Sequence, residues 1–146
     1  MAKLKFGEVV WLGLGAKNIE SQRKFYGEVA GYEEIDSGDG WSHYRMGGSR
    51  ILELIQIGKE PPDHKKGFRP AFEVQNIKAA REELISKGVK AINEIDGGPA
   101  YGGYWCAFQD PEGNYFEIKQ VVHRSTRRKI ARRKGSSAKA AKRAGG

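Results

Sequence analysis

Two stretches of this chain run through the same succession of residue types, and that repetition restricts the fold more than any other feature. Trp11–Ile35 reads WLGLGAKNIESQRKFYGEVAGYEEI, and Arg69–Ile95 reads RPAFEVQNIKAAREELISKGVKAINEI. Each opens on a short apolar strand, meets an Asn-Ile pair, continues as an amphipathic helix, passes a glycine and enters a second strand. Asn18 and Asn76 stand where an N-cap side chain can accept the first orphan N–H groups. Beyond them Ile19, Gln22, Phe25, Tyr26 and Val29 recur with helical spacing, as do Ile77, Ala80, Leu84 and Ile85. Gly31 and Gly88 fall where a helix end takes a left-handed residue. Each half closes with two more strands. Ser42–Met46 turns at Gly47-Gly48 into Arg50–Ile57, and Tyr104–Gln109 turns through DPEGN (Asp110–Asn114) into Tyr115–Val121. The expected architecture is α+β: two βαβββ modules, eight strands and two main helices forming one cupped mixed β-sheet. Module one spans about 6–58 and module two about 68–121, with Gly58–Gly67 between them, inside a domain of residues 1–122.

A chain of 146 residues suits one such domain. Its charge is unevenly placed. Residues 123–146 hold six arginines, four lysines and no acid, while residues 1–122 hold 16 basic and 18 acidic side chains, so the net +8 belongs to the C-terminal segment. That segment has one sizeable aliphatic residue, Ile130, and is expected to be a disordered basic tail. It offers nonspecific contact with nucleic acid by counterion release, but no aromatic side chain to stack on bases. A single cysteine, Cys106, excludes an intramolecular disulfide and a cysteine-pair zinc site. With no secretory pattern at the start and no apolar run of membrane-spanning length, the expected location is the cytoplasm.

The two modules, the pair Phe25-Tyr26, AFEV at Ala71–Val74 and the ending DPEGNYFEI (Asp110–Ile118) resemble the vicinal oxygen chelate superfamily. That superfamily includes glyoxalase I, bleomycin resistance proteins and extradiol dioxygenases. The resemblance implies a cavity enclosed by both modules and a homodimer. It leaves the reaction open, because this scaffold hosts many chemistries.

Strand alternation then sorts the side chains. Leu52 and Leu54 oppose Ile51, Glu53 and Ile55, while Phe116 and Ile118 oppose Tyr115, Glu117 and Lys119. The unbroken apolar faces are expected on the helices and the carboxylate faces in the cup. The same parity sends Trp11, Gly13, Arg69, Ala71 and Glu73 inward. Trp11, Glu53, Arg69 and Glu117 match the positions from which metal-dependent relatives provide ligands, and the resemblance would place histidine or glutamine at the first and third. An indole N–H has no lone pair to give and guanidinium stays protonated, so no metal is expected; any ion would rest on Glu53 and Glu117 alone. Arg69 is expected to balance Glu117, Glu53 or both, and to anchor an anionic or carbonyl group of a ligand.

Flat side chains accompany them: Trp11, Trp41 or Tyr44, Tyr101, and one of Tyr104 and Trp105. His43 shares parity with Trp41 and Arg45 and is a candidate acid–base group. GGPAYGG at Gly97–Gly103 reads as a lid carrying Tyr101. The expected function is small-molecule binding by a cavity lined with Trp11, Arg69, His43, Tyr101, Tyr104 and Trp105. Two alternatives stand beside it: a lyase, isomerase or dioxygenase using Glu53 or Glu117 as general base, with or without a metal, and a polyanion-binding protein acting through the tail.

Overall fold

The computed structural model describes residues 4–58 and 65–122. Most of the expected linker and the whole basic segment 123–146 lie outside the described residues. Module one consists of β1 (Val9–Ala16), α1 (Ile19–Lys24), β2 (Glu33–Gly38), β3 (Trp41–Gly47) and β4 (Arg50–Gln56). Module two consists of β5 (Gly67–Glu73), α2 (Ile77–Ser86), β6 (Lys90–Ala91), β7 (Asp96–Gly98), β8 (Gly103–Gln109) and β9 (Tyr115–Val121). These nine strands form one curled, open sheet in the order β2-β3-β4-β1-β5-β9-β8-β6, with β7 also on β8.

In each module the first strand runs parallel to the last: β1 beside β4, β5 beside β9. The modules join where β1 and β5 pair antiparallel, Trp11 opposite Ala71 and Gly13 opposite Arg69. Leu12 faces Pro70 between those pairs, so a pseudo-twofold axis passes there and relates Trp11 to Arg69. Glu53 sits beside Gly13 and Glu117 beside Ala71, so the same axis relates the two carboxylates.

Both helices cover one face of the sheet. Ile19 packs with Leu14, Tyr44, Leu52 and Leu54; Ile77, Ala80 and Leu84 pack with Val74, Cys106, Phe108 and Ile118. Asn18 and Asn76 cap as expected, accepting from Ser21 N–H at 3.1 Å and Ala79 N–H at 3.0 Å. A second acceptor reaches each helix start from the last strand of its module. Gln56 Oε1 takes the Ile19 N–H at 3.0 Å, and Gln120 Oε1 takes the Ile77 N–H at 2.9 Å. The repeated spacing Glu53-Leu-Ile-Gln56 and Glu117-Ile-Lys-Gln120 explains this, because residues three apart on a strand point to opposite faces. Gln120→Ala is expected to cost about 1–2 kcal/mol in urea unfolding, the usual effect of orphaning a half-buried donor.

Three expectations are corrected here. The single strand expected after α2 is two short ones, which makes nine strands among the described residues rather than eight. At the break the Asn93 side chain accepts the Ala107 N–H at 2.8 Å, replacing a backbone partner. The first helix does not run regularly to Gly31: α1 passes into a π-helical turn, Phe25–Val29, in which Ala30 N–H donates to Phe25 C=O at 2.8 Å. The wider turn rotates the following residues. Tyr26 therefore packs on the core, while Phe25 (48% exposed) and Val29 (71%) face outward. Finally, Gly97–Gly103 is a hairpin built into the sheet, with Asp96 opposite Trp105 and Gly98 opposite Gly103 around a 3-10 turn at Pro99–Tyr101, rather than a loop laid over it.

Candidate functional site

The helix-free face of the sheet carries the polar groups, because parity leaves it every residue that the two cores do not claim. Around the pseudo-twofold axis each module presents one carboxylate from its last strand and one donor from its first. In module one, Trp11 Nε1–H donates to Glu53 Oε1 at 2.9 Å. In module two, Arg69 Nη1 lies 3.5 Å from Glu117 Oε2, and both residues are buried, at 8% and 7% exposure. Arg69 thus balances Glu117, one of the two acids it was expected to serve.

His43 belongs to this group as well. It stands opposite Glu53 on β3, with Nε2 at 3.2 Å from the same Oε1 that takes the indole proton. Trp41 packs on the imidazole, ring centres 4.8 Å apart. The corresponding position of module two is Ala107, opposite Glu117. The two halves therefore differ: a Trp–Glu–His cluster in one, an Arg–Glu pair in the other.

All three indoles lie against glycine. A Cβ on Gly13 would fall 2.2 Å from Trp11, one on Gly38 would fall 2.3 Å from Trp41, and one on Gly97 would fall 2.5 Å from Trp105. Each ring occupies the space that an ordinary side chain would take, which presses it onto the strand. Cations also lie near rings on this side: Lys119 lies 5.7 Å from the Trp105 ring centre, and Lys65 and Arg69 lie 4.4 and 5.3 Å from that of Tyr115. Sequence reasoning did not find this arrangement. Its only trace is that Gly13 follows Trp11 at the same-face spacing.

The remaining candidates separate. Tyr104 does not join the site: it packs against the α2 core with Cys106 and Phe108, so Trp105 is the inward member of that pair. Tyr44 is likewise buried in the α1 core, which leaves Trp41 as the aromatic of β3 on the site face. Tyr101 is 73% exposed, its ring edge-on to Trp105 at 6.4 Å.

Burial raises the Glu117 carboxyl from 4.5 to about 7, overriding the opposing pull of Arg69, and the Glu53 charge adds to the rise. The folded state therefore holds this proton to higher pH than the unfolded chain. Stability from this group is fully present below pH 4.5 and is lost as pH rises through about 7. The loss amounts to at most about 3 kcal/mol. Glu117→Gln is expected to remove that slope, read as the difference between wild-type and variant urea midpoints at pH 5 and pH 8.

Neither first-strand group, an indole N–H or a guanidinium, could coordinate a divalent ion placed between the two acids. Among the described residues no group of three or more His, Cys, Asp or Glu is placed to hold a metal.

Paired βαβββ modules, joined through their first strands about a pseudo-twofold axis with acids converging on the helix-free face, define a cupped-sheet class of fold. The chain belongs to the Glyoxalase/Bleomycin resistance protein/Dioxygenase superfamily, whose family model matches residues 8–118. Similar solved structures include a hypothetical protein from Bacillus halodurans C-125, at 19% identity and TM-score 0.64, covering 80% of this chain and 96% of that one. The Mn(II)-bound glyoxalase from Novosphingobium aromaticivorans has 22% identity and TM-score 0.62, covering 79% of this chain and 39% of that one. Methylmalonyl-CoA epimerase from Mycobacterium tuberculosis has 18% identity and TM-score 0.59, covering 83% of this chain and 94% of that one. At these identities the likeness shows the fold alone. No curated protein matches the sequence. No described helix is long and apolar enough to cross a membrane.

Proposed function

We propose that this protein binds a small, planar organic molecule on the helix-free face, without a resident metal. The ligand lies on the glycine-backed indoles and is oriented by Arg69, Glu53 and Glu117. The observation that carries this reading is the occupation of both carboxylates by donors, Trp11 on Glu53 and Arg69 beside Glu117. The polar work that an ion would do in the centre is already done by side chains. Flat apolar walls with a few polar fixings are what a binding site for such a molecule requires. Tryptophan fluorescence tests it with 1-naphthoate, a flat ring bearing an anion for Arg69. Saturable quenching is expected, unchanged by a chelator and weakened about tenfold in Arg69→Lys, which keeps the charge but loses the guanidinium fork. Absence of quenching, or quenching that requires added zinc or nickel, would overturn it.

One observation favours a second reading, a lyase or isomerase with Glu117 as general acid–base. A carboxyl near 7 can both give and take a proton at neutral pH. Turnover abolished in Glu117→Gln with ligand affinity retained would select that reading over passive binding.

A further inference from the structure

The carboxylate of Glu53 is held from one side only. Trp11 Nε1 and His43 Nε2 both converge on Oε1, at 2.9 and 3.2 Å, and no described residue donates to Oε2. The side chain keeps 24% of its surface exposed on the face where the indoles lie. The indole N–H ties one oxygen of the carboxylate down, and the second oxygen keeps its acceptor capacity. Trp41, pressed between Gly38 and the imidazole of His43, holds that ring in place.

We propose that Glu53 Oε2 is the recognition point for an N–H-donating planar ring, an amidine or aminoheterocycle, and that this end of the ligand lies over module one. The inference rests on the small-molecule reading above and adds the polarity and direction of the ligand. Features of both modules carry it. An oriented carboxylate makes a short charge-assisted hydrogen bond to an N–H donor. Two indoles stand near it, Trp11 bonded to Glu53 and Trp41 packed on His43, and indole rings favour a flat and especially a cationic partner. The indole N–H already donates to Oε1, which leaves Oε2 as the oxygen open to a further N–H. Module two reverses the pattern: its acid sits beside Arg69, and Ala107 replaces His43. A ligand laid across the pseudo-twofold axis thus meets an acceptor at the module-one end and a guanidinium at the other.

The test uses the full chain and three probes followed by tryptophan fluorescence and by ligand-detected NMR: 2-aminobenzimidazole, its N–H-free analogue benzothiazole, and 1-naphthoate. Wild-type protein is expected to bind 2-aminobenzimidazole at least about tenfold more tightly than benzothiazole. Glu53→Gln is expected to erase that preference. Should 1-naphthoate bind but 2-aminobenzimidazole show no advantage, or keep it in Glu53→Gln, the inference fails and the general reading survives. Should none of the probes bind, both fail together. The wild-type comparison decides the matter even where the variant does not fold.

Discussion

Arg69→Met is expected to lower the unfolding free energy by about 3–5 kcal/mol at pH 8, the usual consequence of stranding one member of a buried ion pair. Glu117 would then sit in the same apolar surroundings without its counter-charge, and burial already pushes its carboxyl up to about 7 while Arg69 is present. The loss should shrink at pH 5, where Glu117 is protonated in either protein and has no charge left to strand. Arg69→Met combined with Glu117→Leu should recover most of the stability at pH 8, since two matched apolar side chains often replace a buried pair at little cost. Chemical unfolding of the three proteins at both pH values checks this. Equal losses at pH 5 and pH 8, or a double variant no better than the single, would show that Arg69 acts through packing and not through the charge of Glu117.

Gly13→Ala is expected to cost about 2–4 kcal/mol, a large effect for one methyl group. The added Cβ would fall 2.2 Å from the Trp11 ring, which is fixed from the other side by its bond to Glu53. The indole must move off the strand, and Glu53 loses its indole donor. The backbone itself accepts alanine, because Gly13 does not adopt a positive φ. A second change therefore separates crowding from backbone strain: Trp11→Ala in the Gly13→Ala background should add little further loss, since the indole is already displaced. Thermal melts and the tryptophan emission maximum report the two quantities. A Gly13→Ala protein with unchanged emission and a shift within about 0.5 kcal/mol, the range of an ordinary surface change, would remove the indole from the site.

Much of the fold was legible in the chain because the signals are local. The Asn-Ile pairs mark helix starts, and Asn18 and Asn76 do cap them. Period-two alternation placed Leu52, Leu54 and Ile118 under the helices and Glu53 and Glu117 on the opposite face. Local rules failed where two structures of equal local merit competed. The π turn at Phe25–Val29 satisfies the same backbone donors as an α-turn, and the packing of Tyr26 on the core accompanies it. Alternation allowed either Tyr104 or Trp105 to face inward, and the α2 core took the tyrosine. Gln56 and Gln120 repeat at the same distance from the acids, a signal that was present in the sequence but passed over.

By itself the sequence determined two copies of one module, their helix starts and the side of the sheet on which each residue lies, since all of these follow from spacing along a few turns or strands. Which donor meets which acid was decided only by the tertiary structure. Trp11 and Glu53 are 42 positions apart, and their 2.9 Å contact exists because β1 runs parallel to β4 in one register while an absent side chain at Gly13 leaves room for the ring. Register between distant strands is set by the packing of the whole sheet, and a shift of one residue would have sent the indole and the carboxylate to opposite faces.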